Sequence, residues 1–318
     1  MKDSTLIDAF AGATAGVFAR TVVAPIDRIK LLIQLSGSIQ SKSSSTSTFT
    51  ERSPIQIFKD IIQKEGLLSL WRGNTPTILI EGGVTALNFV FLNKYKALIS
   101  NNVLSSLEQH YPSLRPENER STVRKRRILK SFVSGGLAGA TTISILYPLG
   151  FMRTRLATDV GNKAQRIYPR GMRDVFKKIL HTDGVRGFYK GYGIALFSVS
   201  MHRLVYLGGY DYIKSEYDDD SHGKQRMSLG KRFCAAQLVS MAASTIHYPL
   251  DCVRRRLMME AGKTKKERKY NNTLHCFKKV WLEEGVKGFY LGLQMNLIRC
   301  VGSALVLVSY DELKRVLT

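Results

Sequence analysis

Pro249-Leu250-Asp251-Cys252-Val253-Arg254-Arg255-Arg256-Leu257-Met258-Met259 is the stretch that decides how this chain is read. A proline that must kink or end a helix is followed after two residues by an acid, and three residues later by a base. The same spacing occurs as Pro25-Ile26-Asp27-Arg28-Ile29-Lys30 and again as Pro148-Leu149-Gly150-Phe151-Met152-Arg153, where glycine replaces the acid. Three copies define an internal threefold repeat.

The spacing of other landmarks supports the repeat. Pro148 and Pro249 lie 101 residues apart, as do Tyr189 and Tyr290. From the proline to an acid-glycine pair takes 35 residues in the second and third copies (Asp183-Gly184, Glu284-Gly285) and 40 in the first (Glu65-Gly66). The Ser/Thr-rich stretch 37–53 accounts for the difference and reads as a loop. The repeats run over 1–100, 128–217 and 228–318.

Each repeat predicts a long helix, a short amphipathic helix and a second long helix. The first long helices cover about 6–35, 129–158 and 229–260. In two of them, paired glycines (Gly12 and Gly16, Gly135 and Gly139) predict close helix approach in lipid. The short helices cover 54–64, 171–181 and 273–283. In the first of these, Ile55, Phe58, Ile61 and Ile62 are expected on one face. The second long helices cover 74–99, 192–215 and 290–316. Residues 101–127 are polar, end in the basic run Arg124-Lys125-Arg126-Arg127 and read as a loop insertion at a membrane surface. The expected fold is an all-α membrane protein with six transmembrane helices. Arg20, Asp27, Arg28 and Lys30 weaken the apolar signal of the first span, as befits a face bordering water.

Bulk composition points to an anionic partner. The 318 residues carry 48 Lys+Arg against 25 Asp+Glu, a net charge of +23. Aromatic-rich basic modules are absent, so no nucleic-acid partner is expected. Cys234, Cys252, Cys276 and Cys300 show no C-x-x-C pairing, which argues against a disulfide framework or a metal site. No catalytic constellation is visible. The opening Met1-Lys2-Asp3-Ser4-Thr5 lacks an Arg-rich or cleavable signature, so any targeting information is expected to be internal.

The proline motifs have a physical use. Around a pseudo-threefold axis the acid of one helix reaches the base of its neighbour, giving the expected pairs Asp27–Arg153 and Asp251–Lys30. Buried ion pairs of this kind hold one end of a cavity shut and exchange for water when it opens. With Gly150 in place of an acid, Arg254 loses its expected partner. The second long helices end in a further charged set: Lys96, Asp211, Lys214, Asp311 and Lys314. Asp211–Lys314 and Asp311–Lys96 are the expected pairs, and Asn93 leaves Lys214 without one. Singly, each such charge is an ordinary helix-end residue; together, at repeat spacing, they make a second charged set. Lone arginines in apolar helices, Arg20, Arg203 and Arg299, are costly unless functional, and a guanidinium fork suits phosphate.

P-x-[DE]-x-x-[KR] in triplicate resembles the mitochondrial carrier family across essentially the whole chain, as one carrier domain, 1–318. The run Arg254 to Met259 is similar to the RRRMMM signature of its ADP/ATP carriers. The resemblance implies exchange of adenine nucleotides across the mitochondrial inner membrane by alternating access, with no cofactor and with the short helices on the matrix side. It makes the proline-motif charges a matrix gate and the second set a cytoplasmic gate. It assigns substrate contacts to Arg20, Arg299, Ser198, Val199, Tyr206 and Arg255. Arg256 is expected to add charge at the cavity floor. It reads Trp71-Arg72-Gly73, Tyr189-Lys190-Gly191 and Gly292 as cardiolipin-binding turns, consistent with free N–H groups at helix starts. Two positions depart from the pattern. Ile80 stands where ADP/ATP carriers have a phosphate-binding arginine, and His202 replaces one rung of a tyrosine ladder continued by Tyr206 and Tyr210. A carrier of another nucleotide or anion fits these departures. So does a carrier-derived structural subunit of a respiratory-chain complex, since gates no longer used for transport are free to decay.

Overall fold

Pro25, Pro148 and Pro249 each lie inside a long helix rather than at its end. A proline removes one backbone donor and leaves the carbonyl four residues earlier without its helical partner. At the first site that carbonyl belongs to Thr21, and the Trp71 indole N–H donates to it at 2.8 Å. The kink is thereby tied to the turn that precedes the next long helix.

The computed structural model describes residues 2–38, 53–99, 119–162, 164–218, 229–264 and 266–302. Among them the chain is helical and without strands. In order, α1 is Lys2–Gln34, α2 Pro54–Glu65, α3 Asn74–Leu98, α4 Glu119–Ala157, α5 Met172–Asp183, α6 Tyr192–Asp218, α7 Leu229–Met258 and α8 Thr273–Phe289; α9 is described over 293–302. α8 contains a break at Gly285, whose φ of 64° is not helical, so the expected end near Glu283 is a real change of direction. Two compact units form: Met1–Ala13 with Leu79–Tyr147, and Thr14–Ile78 with Pro148–Thr318. Two segments, Leu67–Leu98 and Val133–Ala157, are long and apolar enough to cross a membrane, with mean hydropathies of 1.4 and 1.2.

Three expectations change. The basic run Arg124–Arg127 was expected in a loop, but α4 begins at Glu119 and contains it. Residues 119–134 include good helix formers and neither glycine nor proline, so nothing stops the helix short of the basic run. Close approaches are described at other glycines. A Cβ on Gly16 or Gly135 would meet no atom within 4 Å, whereas one on Gly83 would come within 2.9 Å of Leu146, and one on Gly209 within 3.0 Å of Val239. The inward face of α2 is formed by Ile57 and Ile61, with Ile62 beside them, while Ile55 and Phe58 are exposed.

That last correction repeats in the other short helices. Val175 and Ile179 on α5, and Cys276 and Val280 on α8, are buried, while Phe176, Leu180, Leu274, Trp281 and Leu282 are exposed. Each inward pair is spaced i, i+4 and ends four residues before the repeat's acid. The outward apolar face fits a helix lying at a lipid boundary. α2 starts with a capping box: Gln56 N–H donates to the Ser53 hydroxyl at 3.3 Å, and Ser53 N–H to the Gln56 amide oxygen at 2.9 Å.

The acids that end the short helices clip the second unit together. Glu65 accepts from Arg28 at 2.8 Å, from Arg166 at 3.4 Å and from the Gly161 N–H at 2.9 Å. Asp183 accepts from Lys190 at 2.8 Å, from Arg268 at 2.9 Å and from the Gly262 N–H at 2.9 Å. In both, the acid of one repeat holds the loop after the first long helix of the next. Glu284 takes the buried Arg256 from its own repeat. Arg28 also donates to the Ser69 and Ala157 carbonyls, at 2.5 and 3.2 Å, so one buried guanidinium joins α1, α4 and the turn after α2.

Removing one partner of a pair this buried leaves an uncompensated charge and costs about 3–5 kcal/mol. Glu65→Ala is therefore expected to lower the unfolding temperature in detergent sharply, with Arg28→Met/Glu65→Met recovering much of the loss; a double variant no better than the single one contradicts the role given to the pair. Burial alone would push the Asp183 carboxyl up, but the hydrogen bonds from Lys190 and Gly262 and the charges of Lys190 and Arg268 outweigh it and hold the carboxyl below 3.8. A depressed folded value stabilises the fold above 3.8 and is lost as the pH falls through the lower value. Asp183→Asn is expected to unfold at lower temperature than the native chain at neutral pH, with the gap closing as the pH is taken below that range.

Candidate functional site: the charge cluster at the proline kinks

Each proline motif puts its acid and base on the turns just past a kink, and the three first long helices bring these turns together within the second unit. Arg153 of α4 donates to the Asp27 carboxylate of α1. Lys30 of α1 lies 3.8 Å from Asp251 of α7 and donates to the Asn296 amide oxygen at 2.8 Å. Both expected pairs between helices are present. Asp27 and Asp251 are buried, with relative exposures of 8% and 7%.

Arg299 completes the cluster. Its Nε lies 3.5 Å from Asp27, and Nε and Nη2 each donate to Asn296 at 3.3 Å. Asn296 thus joins the Lys30 and Arg299 cations through a single amide oxygen, a link not anticipated from sequence. The signal was an amide in a mostly apolar helix, one turn before the arginine already singled out. Arg20 lies two helical turns before Asp27 and contributes to the potential at that carboxylate.

The third pair is replaced by local contacts. Arg254 Nη1 lies 3.8 Å from Asp251 one turn earlier on α7, and Arg255 donates to the same carboxylate at 2.8 Å. A Cβ on Gly150 would sit 3.8 Å from Arg254 Nη2, so the missing acid would have stood beside this guanidinium. The next arginine leaves the cluster. Arg256, expected to add charge to the same place, is fully buried against Glu284 and the Tyr270 hydroxyl, 3.1 Å away. Successive helical residues are about 100° apart, so one arginine of the run must face the short helix.

Of the other expected site residues, Ser198 is buried, Val199 and Tyr206 are half-buried, and Arg203 is exposed. His202 stacks on Tyr206 with ring centroids 6.3 Å apart. Lys96 is exposed on α3. The side chains of Tyr210, Asp211 and Lys214, and all of Asp311 and Lys314, lie outside the described residues. The turns read as lipid-binding are closely packed. Gly73, Gly191 and Gly292 have φ of 93°, 81° and 78°. A Cβ on Gly73 would come within 3.0 Å of the Arg153 carbonyl, and one on Gly292 within 3.1 Å of the Lys30 carbonyl. Only glycine combines that backbone with that proximity. The bases beside them are held by protein: Arg72 by Asp159 at 2.5 Å, and Lys190 by Asp183.

Proline-kinked helices are thus joined at their kinks by ion pairs, with several bases around two buried carboxylates. The family described as mitochondrial carrier protein matches residues 2–103, 124–221 and 225–318, and the chain belongs to that family. It is 38% identical over 313 residues to a probable ADP,ATP carrier protein of Arabidopsis thaliana, covering 98% of this chain and 89% of that one. It is 35% identical over 310 residues to ADP/ATP translocase 3 of Homo sapiens, covering 98% and 97%, and equally identical to ADP/ATP translocase 4 of Bos taurus, covering 98% and 88%.

Gly150→Asp is expected to give Arg254 a carboxylate from α4. A hydrogen bond to a charged group contributes about 1.5–3 kcal/mol, read as a rise of several degrees in the unfolding temperature in detergent. An unchanged temperature would show that Asp251 already satisfies Arg254 in full.

Proposed function

We propose that this protein exchanges ADP for ATP across the mitochondrial inner membrane by alternating access. The observation that carries the reading is the surplus of base around Asp27 and Asp251. Arg153, Arg254, Arg255, Arg299 and Lys30 share these two carboxylates, and Arg299 projects from an apolar helix. A polyphosphate supplies the negative charge that such a cluster lacks, and guanidinium forks match its oxygens. The names of the relatives support adenine nucleotide as the solute.

In this reading the three long–short–long triplets are equivalent repeats, the six long helices span the membrane, and the short helices lie on the matrix side. The cluster at the kinks is the matrix gate, formed while the site is open to the other face. Lys96, Asp211, Lys214, Asp311 and Lys314 form the opposite gate. Substrate meets Arg20, Arg299, Ser198, Val199, Tyr206 and Arg255. Cardiolipin phosphate binds the N–H groups at the starts of α3, α6 and α9, where Gly73, Gly191 and Gly292 let the backbone turn.

A second reading is favoured by the incomplete third pair and by Ile80. It keeps the fold and changes the role, to a carrier of another nucleotide or anion or a carrier-derived structural subunit of a respiratory-chain complex.

ADP-induced thermal stabilisation of the purified chain separates these readings. Arg299→Ala is expected to weaken ADP binding by roughly tenfold or more, the loss of one charge-assisted hydrogen bond. Ile80→Arg is expected to strengthen it. Exchange of ADP for ATP in cardiolipin-containing vesicles completes the test. No response to ADP in the native chain or either variant contradicts nucleotide carriage, and copurification with a respiratory complex then favours the structural role.

A further inference from the structure

His202 on α6 and His247 on α7 face one another in the second unit. Their Nδ1 atoms are 3.2 Å apart, and the ring centroids are 4.7 Å apart at 70°. His247 Nδ1 is also 2.8 Å from the Ala243 carbonyl of its own helix. That oxygen only accepts, so His247 carries its proton on Nδ1 and shares it between Ala243 and the bare Nδ1 of His202. His202 then holds its own proton on Nε2. One ring nitrogen, His247 Nε2, remains free to take a proton without breaking the contact. A further proton on His202 Nδ1 would set N–H against N–H.

Charged groups from three helices surround the pair. From α6 the pair has Arg203 and Tyr206 as neighbours. From α9 come Arg299 and Cys300, the latter 3.9 Å from Ser244 on α7. On α7 itself stand Tyr248 and, one turn on, Asp251. That carboxylate is already shared by Lys30, Arg254 and Arg255. The balance of fixed charge beside the imidazoles is positive, and a nearby anion favours their charged form. Imidazole is the side chain whose charge changes near neutral pH.

We propose that the His202–His247 pair is a proton-binding element of the substrate site, so that an anionic solute is bound together with one proton. The proton comes from solvent onto the His247 Nε2 lone pair and returns to solvent when the anion leaves. The chain has no base at position 80, and the pair supplies one unit of positive charge only while substrate is present. This inference rests on the reading of the protein as an anion carrier.

The test is calorimetric titration of the purified full chain with ADP near neutral pH, in two buffers of different protonation enthalpy. The native chain is expected to take up more protons per ADP than His247→Gln, with a difference approaching ~1, while His202→Asn, which keeps the His247 ring and an acceptor for its Nδ1–H, retains the uptake. In these differences the titration of the nucleotide's own phosphates cancels. Uptake on binding favours the complex at lower pH, so native affinity is expected to rise relative to His247→Gln by up to ~10-fold per pH unit from about 8 to about 6. ADP binding with no proton taken up by the native chain, or with uptake unchanged in His247→Gln, overturns the proposal and leaves the carrier reading standing. If ADP does not bind, the same count is made with inorganic phosphate; binding of neither overturns both.

Discussion

Two buried carboxylates, Asp27 and Asp251, must satisfy five bases from α1, α4, α7 and α9, and the second unit depends on that arrangement. Charges taken out of water cost several kcal/mol each unless they are paired. Each base therefore has to find an acid or an amide oxygen. Helices that would slide past one another in an apolar contact are fixed in register by this requirement. Asn296 is part of the solution because its amide oxygen receives both Lys30 and Arg299.

A second set of pairs keeps the cluster in place. Glu65 and Asp183 end their short helices and reach into the loop of the following repeat, where each accepts a backbone N–H and an arginine. These contacts are almost wholly removed from solvent at Glu65 and somewhat less so at Asp183. The loops so held follow the same helices that carry Arg153 and Asp251. Movement at the kinks must therefore carry the short helices along or break these clips. Their outward apolar faces permit the first, because contact with lipid is not specific in register.

The chemical character of the site follows from what is left over. Arg256 is spent on Glu284, Arg28 on Glu65 and Arg72 on Asp159, so these bases serve the fold. Arg254, Arg255 and Arg299 crowd around carboxylates that are already occupied. The imidazole pair sits beside this positive balance.

Sequence by itself determined the kinked helices, the short amphipathic helices and the Asp27–Arg153 and Asp251–Lys30 pairs. These rest on spacing, and a proline, an acid and a base at fixed offsets keep their relation wherever the helix goes. Tertiary structure alone decided which face of α2 turns inward, that Arg256 leaves the cluster, that Asn296 bridges two cations, and that His202 meets His247. In α2 the apolar residues cover more than one face, so periodicity could not choose between the core and the outer boundary. In the run Arg254-Arg255-Arg256 the residue types are identical and only the rotation of the helix separates them. His247 lies 45 residues from His202, and Asn296 lies 266 from Lys30. None of His202, His247 and Asn296 recurs at the repeat offsets, so only the packing of whole helices fixes these contacts.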